Sequence, residues 1–236
     1  MFVVNSHAFN IVDEDTTNEQ WLNLYYSPPE DRLYPLQDVF PVADIFIHNV
    51  PAFEEEEYCS TYTFPKGSII FELTSHTHKR GRLFRTWGPG IDTPCSSRGG
   101  ATCLPEDGDP LFVTTDYADP TRIGFPGDGL VLDGDDPASR RFKYCAIFDN
   151  GKTDPEEVKT STGIGTTCPP AERRCLAGPS QGTLCGGDDS MCPESECSAC
   201  PLRGGVTSDD EMFLLLGSYF CPEGTGCYEP LMTPAP

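Results

Sequence analysis

Residues 68–87, which read SIIFELTSHTHKRGRLFRTW, give the clearest indication of the fold. β-Branched and aromatic side chains dominate its two halves, at 68–76 and 82–87, as is typical of β-strands. A short polar and basic stretch separates the halves. We therefore expect two strands, and where they meet the chain places two of its four histidines, His76 and His78.

Similar short runs recur along most of the chain. They lie at 2–5, 20–26, 43–50, 58–64, 111–115, 140–148 and 211–220. Turn-forming residues, including 23 Gly and 23 Pro, separate the runs, and no segment has the pattern of a capped amphipathic helix of ordinary length. The sequence predicts an all-β fold, an antiparallel β-sandwich resembling a jelly roll, with a disulfide-rich loop insertion.

The charge balance restricts the kinds of partner that this chain can bind. With 16 basic and 37 acidic residues its formal net charge is −21. Such a chain is repelled by phosphate backbones and by anionic membrane surfaces, so we expect no nucleic-acid partner. No apolar run approaches the roughly 20 residues that a membrane span requires, so we expect no membrane partner either.

The cysteines indicate an oxidising compartment. Six of the twelve lie between Cys168 and Cys200, which favours disulfides and an extracellular or periplasmic location. Cys197 and Cys200 have a zinc-like spacing, but the other spacings in this stretch are irregular. The short polar loop from Cys95 to Cys103 is expected to be closed by its own disulfide.

The predicted organisation has a main domain at 41–227 with a Cys-rich insertion at 151–205. Residues 1–40 are expected to be terminal strands and a Pro-rich linker, and 228–236 a tail. The opening MFVVNSHAFNIV lacks the features of a secretion signal. We therefore expect that a longer protein continues upstream of this chain.

His76 and His78 are candidate metal ligands. Alternate residues of a strand share a face, so the two imidazoles are predicted to project together and could hold a copper or zinc ion. The basic residues after them, Lys79, Arg80 and Arg82, are expected to face solvent. Spacing leaves the third ligand open. A carboxylate such as Glu72 would suit zinc, whereas Met212, on the last convincing strand, would favour Cu(I) because a thioether is a soft ligand.

Three motifs, SHTHKRG (75–81), YCAIFDNG (144–151) and GGVTSDDEMFLLLGSYF (204–220), carry a family resemblance. Together they resemble the C-terminal domain of the copper type II, ascorbate-dependent monooxygenases, the group of the peptidylglycine α-hydroxylating and dopamine β-monooxygenases. The resemblance covers about residues 1–227 apart from the insertions. It implies a catalytic copper held by His76, His78 and Met212, which would hydroxylate a C–H bond of a small-molecule substrate with O2 and ascorbate.

The resemblance also concerns the start of the chain and the cysteines. VVNSHAF is similar to a strand of the family whose histidine serves a second copper, so His7 becomes a ligand whose partners would lie in a missing upstream copper domain of the same protein. Cys59 and Cys145 occupy family cysteine positions. The resemblance implies that Cys221 or Cys227 reaches back to Cys59. Cys145 would pair within the insertion or stay free, because Phe213 replaces the family's cysteine.

Three substrate positions depart from the peptide-amidating members of the family. Thr74, Leu214 and Leu216 stand where those enzymes hold a terminal carboxylate, so a cation and hydrogen bonds to that group are lost. We expect an uncharged or hydrophobic substrate and no peptide amidation. Two other functions stay open. One is a secreted, non-catalytic β-sandwich binding module, and the other is a zinc hydrolase that uses the histidine pair with a carboxylate.

Overall fold

The computed structural model describes residues 34–227, together with the isolated positions 14, 17, 21 and 28. Regular structure in this part of the chain consists of thirteen β-strands and a few short 3₁₀ helices, which confirms the all-β prediction. No helix among the described residues has the length and apolar character that crossing a bilayer requires.

Two antiparallel sheets form the body of the fold, with strands numbered here in chain order. The first sheet has the order β1 (Leu36–Val39), β13 (Leu214–Phe220) and β4 (Ser68–His76), and both β7 (Ile123–Gly124) and β8 (Leu130–Leu132) pair with β4. The second sheet has the order β3 (Glu55–Thr63), β9 (Arg141–Asp149), β5 (Gly81–Trp87) and β6 (Phe112–Thr114).

Two small ribbons complete the strand pairing. β2 (Asn49–Val50) pairs with β12 (Leu202–Arg203), and β10 (Arg174–Cys175) pairs with β11 (Cys197–Ala199). β10 and β11 lie wholly within the predicted insertion. Through its pairing with β2, β12 joins the insertion to the segment that precedes β3.

One hydrophobic core lies between the two main sheets. Leu73 of β4 and Leu215 of β13 enter it from the first sheet, and Phe84 of β5 and Tyr144 of β9 enter it from the second. Phe213 packs against Tyr144 with 4.8 Å between ring centroids. Because both sheets bury one face in the same core, the β-sandwich prediction is confirmed.

The sandwich begins earlier than the sequence indicated. Val39 in β1 is 1% exposed and belongs to the core, so residues 36–39, expected in a linker, are part of the first sheet. The run at 43–50, in contrast, is a strand only at Asn49–Val50. Its first part includes the 3₁₀ helix Val42–Asp44, where the Asp44 carboxylate accepts hydrogen bonds from Ser60 and Arg98.

The disulfide implied by the family resemblance for Cys59 is wrong. Cys59 of β3 and Cys145 of β9 are direct partners in the strand register, with 4.1 Å between their Cα atoms, and they are bonded to each other. Neighbouring strands bring these two cysteines together, whereas Cys221 closes a short loop with Cys227, six residues further on. Cys145 is therefore neither free nor bonded to the insertion.

The remaining cysteines follow the expectation of an oxidised protein. Cys95 and Cys103 form the predicted loop disulfide. Within the insertion the pairs are Cys168–Cys200, Cys175–Cys192 and Cys185–Cys197. All twelve cysteines are thus in disulfides, which excludes a thiolate zinc site at Cys197 and Cys200.

Candidate metal centre

The two histidines of the pair lie side by side, although they do not share a strand. β4 ends at His76, and His78 lies in the turn that leads to β5, so the prediction of one strand carrying both is wrong at His78. Their ring centroids are 5.2 Å apart and the rings are perpendicular. His78 is buried and His76 is partly exposed. The two imidazoles are therefore close enough to belong to one site.

The buried carboxyl group of Glu211 explains why the chain turns at His78. One of its oxygens accepts the backbone N–H of His78 at 2.8 Å, and the other accepts that of Arg80 at 2.7 Å. These bonds replace strand pairing and connect the turn to the residue directly before Met212. Burial raises the pKa of Glu211 to about 8. The backbone N–H donors of Arg80 and His78 act in the opposite direction and lower the pKa, because they favour the ionised form.

Arg80 does not face solvent, contrary to the expectation from sequence. It is 3% exposed, and its guanidinium donates to the backbone carbonyls of Glu157 at 2.8 Å and Asp209 at 2.9 Å. Lys79 forms an ion pair with the Asp209 carboxylate, and Arg82 forms one with Glu157. The basic run is therefore engaged with the segments on either side of the histidine turn.

The strand register relates Met212 to His76. Leu214, the first residue of β13, is directly opposite His76, the last residue of β4, and directly opposed residues point to the same face. Phe213 and Leu215 lie in the core, so alternation along β13 places Leu214 and Leu216 on the other face. Met212, which is 8% exposed, lies two residues before Leu214, at the end of β13 that is paired with His76.

A hydrogen bond sets the tautomer of His78. Its Nδ1 lies 3.0 Å from the backbone carbonyl oxygen of Asp210. A carbonyl oxygen only accepts, so Nδ1 carries the hydrogen, and in the neutral imidazole Nε2 then carries the lone pair that a metal ligand needs. Metal-binding histidines are commonly oriented in this way by a second partner. This arrangement fits a metal ion held through Nε2.

The nearby side chains give little support to a third ligand of the carboxylate type. Among the described residues, the groups of three His, Cys, Asp or Glu side chains close enough to share an ion contain disulfide-bonded cysteines and neither His76 nor His78. Glu72, the carboxylate suggested from sequence, lies 3.4 Å from Arg122 in an ion pair. Two imidazoles and a thioether form a soft set of donors that suits Cu(I) better than zinc.

The three predicted substrate positions come together beside these donors. Leu216 is directly opposite Thr74. This pair lies on the same face of the sheet as the pair formed by Leu214 and His76, two residues further along each strand. The Thr74 hydroxyl donates to the carbonyl of Thr121 at 2.9 Å. This part of the sheet therefore carries a buried leucine at 214, a partly exposed leucine at 216 and a hydroxyl that is already engaged. His7 lies outside the described residues.

A third histidine lies near this site, and no sequence pattern predicted it. His48 is 3% exposed, and its ring stacks on Phe148 with 4.5 Å between centroids. Neither ring nitrogen makes a hydrogen bond of ordinary geometry to a described residue. Burial lowers the pKa of His48 to about 4. The Glu211 backbone and Asp210 act to raise it, and His78 acts to lower it. The sequence gives no sign of this proximity, because the segment around His48 is not the regular strand that alternation predicted.

Replacing His48 by phenylalanine is expected to stabilise the protein. Phenylalanine keeps the stacked ring and removes two buried nitrogens that lack satisfactory partners, a gain of about 1 kcal/mol at pH 7.5. Below pH 6.5 the unfolded wild type takes up a proton that the folded form accepts only near pH 4. The advantage of His48→Phe should therefore grow by roughly 1.4 kcal/mol per pH unit in this window.

Urea unfolding of both proteins at pH 7.5, 6 and 5 measures this difference. Taking the difference between the two proteins at each pH cancels the other titrating groups, including Glu211. An advantage that stays constant or shrinks on acidification would mean that His48 is not held neutral by burial.

Comparison with known proteins adds no family assignment. Neither a protein-family model, nor a curated protein, nor a solved structure gives a significant match to this chain.

Proposed function

We propose that this chain is a copper-dependent monooxygenase domain that hydroxylates a C–H bond of a small-molecule substrate, with O2 as oxidant and ascorbate as reductant. One observation carries the proposal. The antiparallel register of β4 and β13 sets His76, which lies beside His78, opposite Leu214, and the buried Met212 is only two residues before Leu214 in the chain. The resemblance of the motifs around His76 and Met212 to the ascorbate-dependent copper monooxygenases supports the same function.

His76, His78 and Met212 would hold the metal. Copper bound by such a set of ligands would supply activation of dioxygen for hydroxylation. The hydrogen bond from Nδ1 of His78 to Asp210 keeps Nε2 in its ligating form. Glu211, the residue directly before Met212, accepts the backbone N–H groups of His78 and Arg80. These bonds would keep the histidine turn at a fixed distance from the backbone around Met212.

The surroundings of the site support a substrate without a carboxylate. Leu214, Leu216 and Thr74 present no cation, and the Thr74 hydroxyl is already bonded to Thr121. A carboxylate bound there would lose its water without gaining a charged partner, which costs several kcal/mol. We therefore propose an uncharged, largely apolar substrate rather than a peptide terminus.

The proposed location is extracellular or periplasmic. All twelve cysteines are in disulfides, and such a set persists in oxidising compartments.

Cu(I) binding by the purified chain tests the metal centre. We expect one tight site in competition with a chromophoric Cu(I) chelator. Met212→Leu, which keeps the side-chain volume, should weaken affinity at least tenfold, and His76→Ala combined with His78→Ala should abolish the site. Met191→Leu is the matched control, because Met191 is half exposed on the insertion and should leave affinity unchanged.

Two outcomes would count against the proposal. Unchanged Cu(I) affinity in all the ligand variants would remove the site. A site that prefers zinc and ignores Met212→Leu would favour the hydrolase instead. Ascorbate-driven oxygen consumption with a series of uncharged apolar substrates then separates an enzyme from a copper-containing binding module, which would show no substrate dependence.

A further inference from the structure

The insertion reaches the candidate metal centre through one buried lysine. Lys159 lies in the insertion, and its side chain is 2% exposed. Its ammonium donates to the Asp210 carboxylate at 3.0 Å and to the backbone carbonyls of Asp209 at 3.0 Å and Ile164 at 3.4 Å. The side chain of Asp210 is 3% exposed, so this ion pair is almost completely removed from water.

The insertion also encloses the carboxylate of Asp210. Thr166 of the insertion donates its backbone N–H to it at 2.6 Å, and Thr207, which follows the insertion, donates its hydroxyl at 3.0 Å. A Cβ on Gly165, where φ is +110°, would come within 2.5 Å of both carboxylate oxygens. The Asp210 carboxylate is therefore held in a fixed position by the groups around it.

The backbone of Lys159 is itself anchored on both sides. Its N–H donates to the side-chain oxygen of Asn150 at 2.9 Å, and its carbonyl accepts the N–H of Cys200 at 2.8 Å. Asn150 also donates to the carbonyls of Val50 and Cys200, and Cys200 is bonded to Cys168. The backbone of Lys159 is thus held by Asn150, which follows β9 of the sandwich, and by Cys200, which belongs to a disulfide of the insertion.

We propose that Lys159 is a positioning residue for the His78 ligand, acting through Asp210, and that the disulfide-rich insertion is in this way a part of the metal centre. The backbone carbonyl of Asp210 is the group that receives the Nδ1 hydrogen of His78 at 3.0 Å. Holding both the carboxylate of Asp210 and the carbonyl of Asp209 fixes the direction of that backbone carbonyl. The expected effect on copper affinity rests on the proposed function. The effect of Lys159 on the tautomer of His78 concerns the metal-free protein.

The tautomer of His78 in the metal-free chain is the decisive measurement. With ¹⁵N-labelled histidine, long-range ¹H–¹⁵N correlation at pH 7.5 should show wild-type His78 as the Nδ1–H form. Lys159→Met removes the charge but keeps an extended side chain. It is expected to give a mixture of tautomers at His78 and to lower Cu(I) affinity about tenfold, the size of effect seen when second partners of metal ligands are removed. Lys152→Met is the matched control, because Lys152 also lies in the insertion but its side chain is 57% exposed. It should change neither quantity.

A second variant keeps the test decisive if the lone Asp210 charge prevents folding. Lys159→Met combined with Asp210→Asn removes both charges, should fold, and should show the same mixture of tautomers. A fixed Nδ1–H form in a folded Lys159 variant would overturn the inference, as would a double variant that cannot fold, since the pair would then serve folding alone. If wild type binds no Cu(I) but its His78 tautomer depends on Lys159, the copper function fails while the positioning role stands.

Discussion

Glu211→Ala is expected to lower the free energy of unfolding by about 4 kcal/mol, because two buried backbone N–H groups lose their acceptor at once. The Glu211 side chain is fully buried and bonds the amides of His78 and Arg80. Each orphaned donor costs on the order of 1–3 kcal/mol, and the missing side chain leaves a cavity beside the core. The same change should loosen the histidine turn and weaken Cu(I) binding.

Urea unfolding and Cu(I) competition on the same samples measure both effects. Glu211→Gln keeps the side-chain volume and one acceptor oxygen. Its amide NH₂ group would face the second backbone N–H, which then has no acceptor, so we expect the free energy of unfolding to fall by about 2 kcal/mol. Glu172→Ala is the surface control, because the partly exposed ion pair with Arg203 should contribute less than about 1 kcal/mol. A loss below 1 kcal/mol for Glu211→Ala would show that water or a neighbouring group replaces the carboxyl group.

Removing the Cys59–Cys145 disulfide is expected to have a similarly large effect. This bond connects β3 to β9 across 86 positions of sequence, and both half-cystines are fully buried. The loop-closure estimate for such a separation is about 4.6 kcal/mol of unfolding free energy. Cys59→Ala together with Cys145→Ala should lower the unfolding free energy by about 4 kcal/mol, measured by urea unfolding at pH 7.5.

The matched control is Cys95→Ala with Cys103→Ala, which opens a loop closed over 8 positions of sequence. The same estimate for this shorter loop is about 2.5 kcal/mol, so the two double variants should differ by about 2 kcal/mol. Equal losses would contradict the entropic account and point to packing around the half-cystines as the main contribution.

The long central strands could be predicted from sequence because their composition is unusual in itself. The run at 68–76 coincides with β4, and those at 82–87, 140–148 and 211–220 overlap β5, β9 and β13. Strands buried on one or both faces need β-branched and aromatic side chains, and that requirement is local. β1, β7 and β8 are only two to four residues long and depend on neighbouring strands, so no local pattern announces them.

The candidate site was less accessible to sequence reasoning because long-range hydrogen bonds build it. The bonds from Glu211 to the histidine turn span 133 and 131 positions, and the register of His76 with Leu214 follows from sheet topology. Alternation along a strand predicted adjacent imidazoles. The two imidazoles are adjacent, but β4 ends at His76 and His78 lies in the following turn. Met212 was singled out by elimination and by family resemblance, and His48 was missed because its nearest partners are distant in sequence.

The position of β13 in the first sheet has a consequence for biosynthesis. β13 lies between β1 and β4, yet it follows every other described strand in the chain. While the polypeptide emerges from the ribosome, β1 and β4 therefore stay separated, each with an open edge, until about residue 220 becomes available. Met212 arrives with that last described strand, so the proposed copper site could form only once this part of the chain has been made, and the open edges of β1 and β4 need protection from aggregation until then.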